Sequence, residues 1–228
     1  MRKHIAIFGS PSSGKTLFSF VLADTVTKDQ KRILVISPDH IIPMLLLFGS
    51  GEMGLGKLFS EEINPLHFTQ TVKVLQENPM VGVLGYGLNE KSIQDITQMD
   101  IFCSIAESLA NVIIWDLASD MANPFCKAAK EKAELSVCIL TPDKRGLLYY
   151  QENEFDLPPN SIFLAGQVKP YSPYEEVSDK IGGFDGMLPF GKELEIAYLD
   201  GRLIKARNLC HRKYLDAVQM ICNKMEET

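Results

Sequence analysis

The sequence predicts an α/β fold, a mostly parallel twisted sheet with helices on both faces, and three observations carry that reading. Short β-branched runs alternate with longer amphipathic stretches along the chain, the pattern of βαβ units. The stretch "AIFGSPSSGKT" sets a glycine-rich loop between an apolar run and a helical one, and "NVIIWDLASD" ends a second apolar run in an acid. The 228 residues, 46% hydrophobic and 23% charged, suit one globular domain over residues 1–228, because no repeat, low-complexity segment or linker divides them.

Taken in order, strands are expected at residues 4–8, 32–37, 81–86, 112–116, 136–140, 161–165 and 193–198. Helices are expected between them at 15–28, 70–77, 95–110, 123–134, 144–154, 174–181 and 214–224. Around the last of these, over residues 214–225, Leu215, Val218, Ile221, Cys222 and Met225 keep helical spacing. Its polar face mixes Asp216, Glu226 and Glu227 with Lys213 and Lys224, so it lacks the basic excess of a membrane-surface helix and is expected to dock on the core.

The first loop reads G-x-x-x-x-G-K-[ST], with Gly9, Gly14, Lys15 and Thr16 in the required places and Ser10, Pro11, Ser12 and Ser13 between them. Glycines let backbone N–H groups curl around phosphate oxygens, and the following helix adds its positive N-terminus. Lys15 is then the cation for the β- and γ-phosphates, and Thr16 a hydroxyl ligand for Mg²⁺. Asp116 closes the apolar run 112–115, which a parallel sheet would set beside this cradle, where an acid can hold the Mg²⁺ shell. Asp39 follows the run "RILVIS" and has two readings, a group that orients the attacking water or a helix cap. The stretch at residues 51–58, "GEMGLGKL", nearly repeats the cradle spacing, but Leu58 stands where Mg²⁺ needs a hydroxyl; it is read as a flexible loop, with a nucleotide-sensitive switch as the alternative.

Lys and Arg number 23 against 29 Asp and Glu, a net charge of −6 that disfavours sequence-independent binding to nucleic acid. The five cysteines, Cys103, Cys126, Cys138, Cys210 and Cys222, form no C-x-x-C pair and read as buried thiols of a reducing cytoplasm. His4, His40, His67 and His211 lack ligand spacing. The apolar run 41–48 contains Pro43 and is too short to cross a bilayer.

These residues carry a resemblance. The chain resembles the ParA/MinD family of P-loop ATPases, and within it the TadZ/CpaE-like proteins that accompany pilus, secretion or conjugation machinery. The likeness runs through the cradle, "ILVISPDH", "GLGKLF", "VGVLGYG", "VIIWD", "SVCILTPDKRGLL" and "FDGMLPFGKELEIAYLDGRLI". It implies an ATP-binding, slowly hydrolysing switch that uses Mg²⁺, forms an ATP-dependent homodimer and positions or regulates a membrane-linked machine through protein partners. It also implies catalytic roles for Lys15, Asp39 and Asp116, and a place for Pro189 beside the nucleotide. Three positions depart from the family pattern: Ser10 stands at its signature Lys, Ser37 at the first acid of its second strand, and Gly166 and Gln167 at the Asn that reads adenine. Two alternatives remain open, a DNA-partitioning ATPase and a degenerate scaffold that works only through protein contacts.

Overall fold

The computed structural model describes residues 3–27, 30–39, 54–94, 96–203 and 205–227; expectations placed on Lys28, on residues 40–53, and on Asp95 and Ile204 lie outside them. The strands are β1 (Lys3–Gly9), β2 (Ile33–Ser37), β3 (Lys73–Leu75), β4 (Asn78–Gly85), β5 (Val112–Asp116), β6 (Leu135–Leu140), β7 (Ile162–Val168) and β8 (Gly186–Pro189). The helices among the described residues are α1 (Lys15–Val26), α2 (Leu55–Ser60), α3 (Pro65–Thr71), α4 (Met99–Leu109), α5 (Pro124–Lys132), α6 (Lys144–Asn153), α7 (Tyr174–Ile181), α8 (Lys192–Leu199) and α9 (Arg212–Glu227).

The sheet runs β3-β4-β2-β5-β1-β6-β7-β8, and every neighbouring pair is parallel except β3 with β4. Helices cover both faces, so the central strands are apolar at nearly every position rather than alternating with polar residues. The two-residue period still sorts their side chains. Ile5, Ile7, Val35, Ile114 and Ile139 enter one core with α1 and α9, while Ala6, Phe8, Ile36, Trp115 and Leu140 enter the other with α4 and α5. Rings of Phe68, Phe102, Phe125 and Trp115 pack edge to face or tilted in this second core. From β1 the chain moves first towards β2 and, after β5, to β6 on the other side, so β1 lies at the reversal where α/β sheets open a crevice at their carboxyl edge.

Three expected elements are corrected. Residues 193–198 are not a strand: they lie in α8, which buries Leu194 and Ala197 one turn apart, and the edge strand is β8. Residues 70–77 are not a helix: α3 ends at Thr71, and β3 turns back on β4 with Leu75 opposite Asn78. The described part of 51–58 is not a loop, because Leu55 starts α2. Its glycines answer to a carboxylate of the protein itself. Glu90 accepts the N–H groups of Gly54 at 2.8 Å, Gly56 at 2.9 Å and Gly87 at 2.7 Å, and a Cβ on Gly54 would lie 2.2 Å from Gly87 N.

The C-terminal helix α9 lays Tyr214, Ala217, Val218, Ile221 and Met225 against β8 and α1. Among the described residues no helix is long and apolar enough to cross a membrane. All five cysteines are free; Cys103, Cys126 and Cys138 are buried as expected, whereas Cys210 and Cys222 are only half-buried.

Candidate functional site

The cradle follows β1 where the sheet leaves no room for side chains. Gly9 has φ 144°, and a Cβ there would lie 1.9 Å from the Ile139 carbonyl oxygen. Ser10 donates its N–H to that oxygen at 3.1 Å, while its hydroxyl accepts the N–H of Thr141 at 3.0 Å. Ser13 N–H turns back to the Ser10 carbonyl at 3.3 Å, and Ser12 takes a positive φ of 57°. Gly14, at φ 92°, caps α1 without a side-chain hydrogen bond, leaving the first-turn N–H groups of the helix to a ligand. Below the loop, a Cβ on Gly166 of β7 would lie 2.1 Å from the Ser13 carbonyl oxygen.

Two charged groups are buried beneath the cradle. Lys15 Nζ donates to the carbonyls of Gly9 and Ser10, each at 3.0 Å, and to Ser119 Oγ at 2.7 Å. Burial pulls its pKa below the usual lysine range, with Asp116 and Asp39 opposing that shift. The register sets Asp116 opposite Ile7 on β1, and Trp115 opposite Ile36 on β2, so Ser37 comes next to the carboxylate. Ser37 donates to Asp116 Oδ2 at 2.9 Å, and Ser19 lies 3.3 Å from Oδ1. Burial pushes the Asp116 carboxyl above the usual range, against hydrogen bonds from Thr16 and Ser37 and the charge of Lys15.

Most of the residues singled out in the sequence converge. Gly14, Lys15, Thr16, Asp39, Asp116 and Pro189 line one cleft of about 1000 Å³, together with Pro11, Ser12 and Ser13. Ser10 does not present its side chain to that cleft: it is fully buried and serves β6. Also lining the cleft, Lys169 Nζ sits 4.8 Å from the centre of the Phe190 ring, and Tyr198 has its hydroxyl pKa pushed up to about 12 by burial and by the charges of Asp116 and Asp39. Gln167 lies in the cleft at a positive φ of 56°, where the register of β7 and β8 slips.

The hydroxyl of Thr16 next to the carboxylate of Asp116, beside uncapped helix N–H groups, suits a hard cation that keeps most of its water and shares phosphate oxygens. Sequence reasoning missed Ser19 and Ser119. Ser19 lies one turn beyond Lys15 on α1, a spacing that could have found it; Ser119 comes three residues after Asp116 and carries no motif signal.

No protein-family model matches the chain, and no curated protein matches it. Its backbone is similar to solved structures. They include the ParA family ATPase from Chlorobium tepidum TLS, at 14% identity and TM-score 0.74, covering 96% of each chain. The septum site-determining protein MinD complexed with Mg-ADP from Pyrococcus horikoshii OT3 matches at 14% identity and TM-score 0.70, over 97% of this chain and 96% of that one. A putative plasmid partition protein from Borrelia burgdorferi B31, bound to AMPPNP, matches at 14% identity and TM-score 0.73, over 100% of this chain and 99% of that one. At these identities the likeness is one of architecture, and the chain has the fold of the MinD and ParA ATPases.

Proposed function

We propose that the chain is a single-domain ATP-binding switch of the ParA/MinD type with slow hydrolysis. The observation that carries this reading is the meeting of Lys15, Thr16 and Asp116 beneath a glycine-shaped loop at the mouth of one cleft. The loop N–H groups and Lys15 bind the phosphates, and Thr16 and Asp116 hold Mg²⁺, which when bound neutralises charge on the β- and γ-phosphates. Asp39, exposed on the cleft wall, orients the attacking water. Pro189 borders the cleft next to Phe190 and flanks the base. Fold neighbours that bind Mg-ADP or AMPPNP support the choice of ligand.

The role we assign is positional. An ATP-bound homodimer recruits protein partners of a membrane-linked machine, such as a pilus, secretion or conjugation apparatus, and hydrolysis resets it. A septum site-determining protein among the fold neighbours supports a positioning role, and the net charge of −6 speaks against duplex DNA as the track.

Calorimetric titration with ATP, with Mg²⁺ and with a chelator, tests the reading. The wild type binds in a Mg²⁺-dependent manner, and Lys15→Ala lowers affinity by about 100-fold, the scale of losing a charge-assisted phosphate contact. A wild type that binds no nucleotide would overturn the proposal.

A further inference from the structure

A lysine ammonium has three N–H donors, and Lys15 commits each of them within the protein, to Gly9 O, Ser10 O and Ser119 Oγ. The two carbonyls belong to the cradle itself and move with it. Ser119 does not: it lies on the segment between β5 and α5, and its contact at 2.7 Å is the shortest of the three. A phosphate oxygen arriving at Lys15 needs a donor, and the one that can be released without opening the cradle is the one on Ser119.

We propose that Ser119 is a positioning residue that competes with phosphate for Lys15, so that ATP binding and the Lys15–Ser119 hydrogen bond exclude each other. This rests on the reading of Lys15 as the phosphate-binding cation. The hydroxyl stands in for a phosphate oxygen, satisfying a buried ammonium that would otherwise lack a partner on that side. Its release loosens a tether on a segment joined to the next helix. The Asp120 carbonyl accepts the N–H of Asn123 at 3.1 Å and the thiol of Cys126 at 3.4 Å, and the Asn123 side chain caps α5 through the N–H of Phe125 at 2.9 Å. Phosphate occupancy is thereby transmitted from the cleft to the start of α5, and the residue that transmits it also sets how tightly ATP binds.

The sign of one substitution separates this role from a merely structural one. Removing a supporting or ATP-contacting hydroxyl weakens binding, whereas removing a competitor tightens it. In titrations of the full chain with ATP and Mg²⁺, Ser119→Ala should bind roughly three- to tenfold more tightly than the wild type, the range set by losing one hydrogen bond of ordinary net strength. Ser119→Thr, which keeps the hydroxyl, should stay close to the wild type. Hydrogen exchange adds a second readout: amides of residues 117–123 should change protection on ATP binding in the wild type, and much less in Ser119→Ala. Equal or weaker binding by Ser119→Ala, or a full ATP response in that variant, overturns the proposal. If the wild type binds ATP and Lys15→Ala does not, such a result removes Ser119 alone; a wild type that fails to bind removes both readings.

Discussion

Ser10 and Thr141, separated by 131 positions in the chain, are joined twice: the Ser10 hydroxyl accepts the Thr141 N–H at 3.0 Å and lies within hydrogen-bond reach of the Thr141 hydroxyl at 3.5 Å. The side chain at the second place of the phosphate loop therefore faces inward, onto the end of β6. Ser10→Ala leaves that buried N–H without its acceptor and should destabilise the fold by about 1–2 kcal/mol in denaturant titrations, with ATP affinity reduced far less than in Lys15→Ala. A buried hydroxyl in this place also supplies no cation to a neighbouring subunit. Intrinsic turnover should accordingly be slow, since a cation of that kind contributes on the order of 10³ or more in rate. Brisk hydrolysis by the isolated wild type would contradict this.

Asp116 sets stability against function. Its carboxyl titrates above the ordinary 3.8 because burial disfavours the charged form. As pH rises through the window from that value to the raised native one, the unfolded chain releases its proton first, so folding stability falls by up to about 1.36 kcal/mol per pH unit. Asp116→Asn has no such proton. It should equal or trail the wild type in stability near pH 4 and exceed it at pH 7.5 by on the order of 1 kcal/mol, while losing the Mg²⁺ dependence of ATP binding. Chemical denaturation across that pH range checks the slope, and a wild type that gains on the variant as pH rises refutes it.

Gly166 has no room for a side chain. A methyl there would meet the Ser13 carbonyl oxygen at 2.1 Å and Ile139 Cγ2 at 2.7 Å, so the cradle would have to lift off β6 and β7. Gly166→Ala should cost about 1–3 kcal/mol and weaken ATP binding at least tenfold by calorimetry. Gly166→Asn, which restores the residue of the family pattern, should be worse than Ala.

Asp39 stands on the cleft wall, where it can act on water without holding the phosphates. Asp39→Ala should leave ATP affinity within about twofold while lowering single-turnover hydrolysis by about tenfold or more. Equal losses in binding and turnover would make Asp39 a structural or Mg²⁺-linked residue instead.

The central layer of the fold was legible because both periods agreed with the chemistry. β1, β2, β5 and β6 are apolar runs that end at Gly9, Ser37, Asp116 and Leu140, and α1 begins where the loop motif says it must. The edges were not. The alternation of Leu194, Ile196 and Tyr198 invites a strand, but Ile196 is 42% exposed, and the pair that matters is Leu194 with Ala197 at helical spacing. For α3 the signal lay in Asn64-Pro65, a cap followed by a proline at the first helical position, upstream of the expected helix. The site was legible where a motif fixes spacing, and silent at Ser119 and Gly166, whose roles depend on contacts across the sheet.

The phosphate loop is the part of the site nearest the start of this sequence, yet its floor comes from β6 and β7, with Thr141 lying 131 residues downstream of Ser10. A ribosome that has made the loop must therefore continue through two-thirds of the chain before Ile139 and Gly166 exist to hold Gly9 and Ser13 in place. During that interval the growing polypeptide carries the motif without the means to grip a phosphate, so ATP gives it no shelter from proteases or from misassembly. On the proposed reading, stabilisation by a phosphate ligand can begin only with the folding of β7.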